Sequence, residues 1–215
     1  MSRQRTAALV FDFDGVLVES TAVKTDAFAA VYQHYGGDTA SKAAAYHLEH
    51  AGISRYVKFR HLHQTLLGIR LSDAEVAQLG VQFSRLVLDA VVAAPWVRGA
   101  CEFLDSHCAT LPLFVASGTP DEELKTIVAR RGMQRYFRSV HGAPATKGEI
   151  VAGIINRHGF NPREVLMIGD AIADLNGAQQ AGARFIGRLH DDANPFPPDI
   201  PVIPDLTSLD RLLGA

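Results

Sequence analysis

The spacing of hydrophobic positions changes twice along the chain. Ala8-Leu9-Val10-Phe11 is continuously apolar, and the run continues through Phe13 and Val16 but is broken by Asp12, Asp14 and Gly15. A stretch of this kind fits a strand buried on both faces of a parallel sheet better than a solvated edge. Beyond Gly15 the period lengthens. Val23, Phe28, Val31 and Tyr35 share one side of a helix that stops at Gly36-Gly37. From there to about residue 94 no strand-like alternation occurs, and helices are predicted at about 39–49, 54–67 and 73–92. The last opens with Ser72-Asp73-Ala74-Glu75, which has the form of a capping box. Consecutive helices between one strand and the next make too long a crossover for a simple βαβ unit, so this block is predicted to be a separate insertion.

Pro95 and Gly99 mark the return to alternating elements. Strands are predicted at 113–116, near 139–141, at 165–168 and at 184–186, with helices between them. In Ser117-Gly118-Thr119-Pro120-Asp121-Glu122, Thr119 is expected to be the N-cap, Pro120 the first helical residue and Glu122 the residue closing the box. Thr146-Lys147-Gly148-Glu149 repeats the capping pattern ahead of a helix through about residue 157. Residues 173–181 read as helix, 194–204 as a Pro-rich loop and 208–213 as a last short helix. The predicted fold is α/β: a doubly wound parallel sheet with helices on both faces. Residues 1–18 and 95–215 are expected to form this core, with 19–94 as a small all-helical domain inserted after the first strand.

Composition adds exclusions. The 215 residues are 47% hydrophobic and 20% charged, enough for a sizeable core and unlike a disordered chain. A net charge of -2, with Lys and Arg dispersed, offers no footprint for nucleic acid and no polybasic block for a membrane surface. Cys101 and Cys108 lie about two turns apart on one predicted helix, which disfavours a disulfide and suits two core-facing thiols in a reducing compartment. Arg3 and Arg5 precede an apolar run too short for a signal peptide, and no uninterrupted stretch is read as long enough to span a bilayer. The expectation is a cytoplasmic protein, monomeric or homodimeric.

The chemistry is expected where strands end. Asp12 and Asp14 are two residues apart, so strand geometry points both to one side, and Gly15 lets the chain turn sharply behind them. Two carboxylates so close need a cation, a shared proton or a donor. Ligands of doubly wound sheets bind beyond the carboxyl ends of the strands. The polar residues there are Asp12 and Asp14, Ser117 and Thr119, Lys147, and Asp170 and Asp174. Carboxylates from two strands can supply the few protein oxygens that Mg²⁺ accepts. Ser117, amides at the helix start after Thr119, and Lys147 would attract an anion. A carboxylate nucleophile, a second carboxylate for proton transfer, a hard cation and an anion cradle together describe phosphoryl transfer.

Other readings fit less well. An EF-hand would need Gly and Glu where Leu17 and Val23 stand, and Ser117 lacks the Gly-x-Ser-x-Gly setting of a hydrolase nucleophile. His47 with His50, and His61 with His63, have no third ligand at a zinc spacing and are expected on the surface or between domains.

The four strand-end motifs, Asp12-Phe13-Asp14-Gly15-Val16, Ala116-Ser117-Gly118-Thr119, Lys147 and Gly169-Asp170-Ala171-Ile172-Ala173-Asp174, resemble those of the haloacid dehalogenase superfamily in its phosphatase and phosphomutase branch. The resemblance spans nearly the whole chain, the helical insertion matching a cap domain with a Rossmann-like core behind it. It implies that Asp12 is the nucleophile that becomes phosphorylated and Asp14 the general acid and base. It implies that Mg²⁺ is held by Asp12, the backbone carbonyl of Asp14, and Asp170, with Asp174 binding through water or orienting Lys147. Ser117 and Lys147 would grip the phosphoryl group, with Gly118 and Thr119 beside them. Within the insertion, Gly52-Ile53-Ser54-Arg55 is similar to the cap loop of β-phosphoglucomutases, making Arg55 a candidate for reading the far end of the substrate or else part of a solvated cationic face. Those mutases carry a histidine where this chain has Lys24, a second candidate substrate contact, and the departure favours hydrolysis over return of the phosphoryl group. The implied partner is a small phosphorylated metabolite. A sugar phosphomutase and a non-catalytic phosphate-binding domain are the alternatives.

Overall fold

The structure is a computed structural model that describes residues 5–190 and 194–213; Arg3 lies outside them. Six parallel strands lie in the order β3-β2-β1-β4-β5-β6. They are β1 (Ala8–Phe11), β2 (Leu113–Pro120), β3 (Ser139–Ala143), β4 (Val165–Gly169), β5 (Arg184–Arg188) and β6 (Val202–Ile203). The central strand β1 pairs with β2 through Leu9↔Leu113 and with β4 through Leu9↔Leu166. All four of its residues are buried, as an apolar run without alternation requires.

Strand alternation sorts the core into two layers. Leu9, Phe11, Leu113, Val115, Leu166 and Ile168 face one cluster, which continues into the helical insertion through Phe28, Phe59, Phe83 and Val87. Val10, Phe114, Ala116 and Met167 face the other, closed by Ile150, Val151, Ile154, Ile155, Leu175 and Ala178. These last residues lie on α7 (Lys147–His158) and α8 (Ile172–Ala181). The first layer is closed in part by α5 (Ala100–His107) and α6 (Asp121–Arg130), and α9 (Leu209–Leu213) packs at its edge.

Between β1 and α5 the chain forms α1 (Thr21–Tyr32), α2 (Gly37–Glu49), α3 (Arg55–Leu62) and α4 (Asp73–Ala93). The two connections to this block run side by side, with Glu19 N–H donating to the Pro95 carbonyl at 2.9 Å and Val97 N–H to Leu17 at 3.0 Å. The capping boxes at Ser72/Glu75 and Thr146/Glu149 form as the spacing predicts.

The structure differs from the sequence reading at several points. β2 runs through Thr119 to Pro120 with a register shift after Ala116, so Pro120 occupies the N-cap and α6 starts at Asp121. Thr119 cannot cap because its hydroxyl turns into the site described below. The Pro-rich stretch contains β6, too short to show a period. The helix α4 is long and apolar enough to cross a membrane by length and composition, against the expectation that no stretch is. Its Val76, Phe83, Val87 and Val91 are nevertheless buried in the protein interior. Cys101 and Cys108 are free, as expected, but half-buried rather than in the core. His63 is buried, His47 is buried where it lines the cavity described below, and His50 and His61 retain exposure.

Candidate functional site

The carboxyl ends of β1, β2 and β4 and the N-terminus of α7 meet at one place. Asp12 stays in the ladder through its N–H, which donates to Ile168 at 2.9 Å. The chain then turns at Gly15, where φ is +73° and a side chain would collide with Asp170 and His190. Glycine is required there both for the left-handed backbone and for the approach of Asp170.

Lys147, the first residue of α7, is buried between two carboxylates: Asp12 Oδ2 at 2.8 Å and Asp174 Oδ1. The other Asp174 oxygen accepts from Ala171 N–H at 3.1 Å, so Asp174 is held at both ends and fixes the lysine. Burial works against the ammonium ion, but Asp12 and Asp174 outweigh it and hold the Lys147 pKa above the ordinary range. Burial pushes the Asp12 carboxyl up to about 7, against the pull of Lys147 and aided by the charges of Asp174 and Asp14. Burial also raises Asp174, to about 6, and moves Asp170 in the same direction.

Asp14 lies in a different environment. Its Oδ1 accepts from Ser20 Oγ at 2.6 Å, and its Oδ2 accepts from Lys24 and from Thr119 Oγ1 at 3.0 Å. Lys24 Nζ also reaches Thr119 Oγ1 at 2.6 Å. Burial opposes ionisation, but the Lys24 charge and these donors hold Asp14 below the usual carboxylate range. The two acids thus have different surroundings, Asp12 beside Lys147 in the acidic cluster and Asp14 against Ser20, Lys24 and Thr119.

Carboxylate oxygens of Asp12, Asp170 and Asp174 lie within 4.8 Å of one another. This all-oxygen, anionic set, with burial raising every member's pKa, suits a hard divalent cation such as Mg²⁺. The Asp14 side chain is directed elsewhere, leaving its backbone as its possible contribution. Ser117 and Gly118 line the same cavity, and Ser117 Oγ accepts from Thr119 N–H at 3.1 Å.

The cavity also takes walls from the insertion: Phe28, His47, Gly52, Ile53, Arg55, Lys58 and Phe83. Its enclosed volume is about 50 Å³, with the mouth open to solvent. The Gly52 loop closes against β2, since a Cβ on Gly118 would lie 2.6 Å from the Gly52 carbonyl oxygen. Arg55 lines the cavity, but its guanidinium forks onto Glu123 of α6, with Nη1 donating to Oε2 at 3.0 Å, and lies 4.5 Å from the Phe83 ring centroid.

Sequence reasoning overlooked His190, Lys58 and Glu123. His190 Nε2 is 2.6 Å from Asp170 Oδ2, and its Nδ1 is 2.5 Å from Arg188, which pairs with Glu19. It lies just past β5, so the rule that singled out the other strand ends extends to it. Nothing local marks Lys58 or Glu123.

A doubly wound sheet with carboxylates from two strand ends around a buried lysine defines an α/β enzyme core. Residues 6–182 match the family described as haloacid dehalogenase-like hydrolase, and the chain belongs to that family. It is 27% identical over 203 residues to a phosphoglycolate phosphatase of Vibrio parahaemolyticus, over 87% of this chain and 85% of that one. It is also similar to a phosphorylated carbohydrates phosphatase of Thermotoga maritima, at 24% identity over 192 residues and 85% of each chain. In fold it is similar to the magnesium-bound HAD-hydrolase YfnB of Bacillus subtilis, with a TM-score of 0.71, 18% identity, and 98% and 100% of the two chains covered.

Proposed function

We propose that the protein is a Mg²⁺-dependent phosphatase that hydrolyses a small phosphate monoester through phosphorylated Asp12, with the helical insertion acting as a cap over the site. The observation that carries this reading is the divergence of Asp12 and Asp14, one held by Lys147 in the acidic cluster and the other by Ser20, Lys24 and Thr119. In the first step an Asp12 oxygen bonds to phosphorus as the ester P–O bond breaks, and Asp14 delivers a proton to the departing alkoxide oxygen. In the second, water bonds to phosphorus while Asp14 takes its proton, and the bond to Asp12 breaks to release phosphate. Asp12 must be ionised for the first step, which the Lys147 charge favours, and Asp14 must take up a proton from solvent before it, while Ser20, Lys24 and Thr119 hold its carboxyl in place. Ser117, the Gly118 backbone and Lys147 are placed to neutralise the phosphoryl oxygens.

Asp12 and Asp170 with the Asp14 carbonyl would hold Mg²⁺, Asp174 serving chiefly to fix Lys147. When bound, the ion supplies the positive charge that lets an anionic nucleophile approach a phosphate. The names of the similar proteins, phosphoglycolate phosphatase and phosphorylated carbohydrates phosphatase, support a small phosphorylated metabolite as substrate. Asp12→Asn is expected to lower turnover of p-nitrophenyl phosphate in Mg²⁺ by at least about 10³-fold with the fold retained. EDTA is expected to abolish wild-type turnover. Substantial activity in Asp12→Asn would refute the assignment.

A further inference from the structure

The insertion brings two cations to the cavity from α3, and the fold treats them differently. Arg55 is neutralised by Glu123 through two hydrogen bonds. Lys58, three residues on, is 1% exposed, and among the described residues no carboxylate lies within ion-pair distance of it. The charges that act on it most strongly are Lys24 on α1, Lys147 on α7, Asp14 beyond β1 and Arg55 on its own helix, three cations against one anion. Desolvation and this excess of positive charge make Lys58 costly to keep ionised.

Its ammonium group is nonetheless positioned. It donates to His47 Nδ1 at 2.9 Å and to the His47 carbonyl at 3.3 Å, while the His47 ring stacks on Phe28 at 4.6 Å. An ammonium ion has three donors and no acceptor, so one hydrogen is left over. With Nδ1 accepting, the hydrogen-bond network assigns the ring hydrogen of His47 to Nε2, a further donor. Lys58 and His47 line the same cavity as Asp12, Asp14 and Ser117. A buried cation with a spare donor and no counter-ion, set in the cavity that Asp12 and Asp14 line, matches an anion brought by the ligand.

We propose that Lys58, held by His47, is a subsite for a second anionic group, so that the substrate is a small phosphate monoester that also carries a carboxylate or a second phosphate. The inference rests on the phosphatase reading and goes beyond it in naming the far end of the substrate. It also transfers to Lys58 the part that the sequence suggested for Arg55.

The test uses two matched pairs that differ in the distal charge: 2-phosphoglycolate against 2-hydroxyethyl phosphate, and glucose 1,6-bisphosphate against glucose 1-phosphate. A charged hydrogen-bonded contact corresponds to about 10–100-fold in kcat/KM. Wild type is expected to favour the charged member of at least one pair by that factor. Lys58→Met should remove the preference, lowering the charged member far more than the uncharged one, and Lys58→Arg should restore part of it. Equal losses on both members, or no wild-type preference in either pair, would overturn the subsite.

Calorimetric binding of the two charged esters to Asp12→Asn and to Asp12→Asn/Lys58→Met separates this inference from the reading beneath it. Weaker binding on loss of Lys58, without turnover in wild type, would leave the subsite standing and refute the phosphatase. Turnover of phosphate esters without any charge preference would do the reverse. Failure of Asp12→Asn to bind either charged ester would overturn the subsite.

Discussion

Replacing Lys58 by Met keeps the length and apolar stem of the side chain and removes the charge. Burial, with Lys24 and Lys147 nearby and Asp14 opposing, pushes the Lys58 pKa down from 10.5 to about 7. The folded protein therefore binds fewer protons than the unfolded chain between these values, and its stability rises with pH across that window. The penalty is fully present below pH about 7, vanishes above about 10.5 and amounts to about 5 kcal/mol. The variant escapes it but strands the buried His47 Nδ1, at a cost of about 1–3 kcal/mol. Lys58→Met is thus expected to be more stable than wild type by about 3 kcal/mol at pH about 6 and to lose that advantage by pH about 9.5, as wild type regains roughly 3–4 kcal/mol. Urea denaturation at several pH values, without phosphate or other multivalent anions, reads the difference. A gap that does not change with pH, or a variant less stable than wild type at pH about 6, would show that Lys58 has a counter-charge in the free protein.

Arg55 and Glu123 behave in the opposite way. Both are nearly buried, so Arg55→Ala or Glu123→Ala alone should cost about 3–5 kcal/mol by leaving an unpaired charge, and the double substitution should cost less than the sum in a denaturation cycle. Additive losses would mean that the pair does not couple α3 to α6. Gly118→Ala sets a methyl group 2.6 Å from the Gly52 carbonyl, backbone against backbone, so the Gly52 loop must move off β2. Turnover should fall about tenfold or more while urea stability changes by less than about 1 kcal/mol, since the loop and not the core gives way; unchanged turnover would exclude loop contact as a requirement.

The sheet and the acidic end of the site were legible because their signals are local. An unbroken apolar run that stops at Asp12 identifies a buried strand and its tip, and Asp170 follows Val165–Gly169 in the same way. The capping boxes beside Lys147 and Asp73 are four-residue patterns that need no tertiary contact to form. Thr119 met the same local rule, yet tertiary contacts overrode it: its hydroxyl is held between Lys24 and Asp14, 95 and 105 positions away. Strand β6 is two residues long and exists because Gly187 and Arg188 offer it a partner edge.

The two cations of α3 show where local reading stops. Arg55 and Lys58 sit on adjacent turns of one helix, and nothing in their neighbourhood says which is free to meet a ligand. The answer lies in Glu123, 68 positions from Arg55, which forks onto the guanidinium and removes its charge from the cavity. For Lys58 it lies in His47, which accepts its hydrogen bonds without cancelling its charge. A neutral imidazole fixes the ammonium in place and leaves the positive field intact. A carboxylate in that position would have fixed it equally well and removed the reason for an anion to bind. The choice of partner, not the choice of cation, therefore separates a structural pair from a recognition element, and the two are distinguishable by whether removal of the cation lowers stability or raises it.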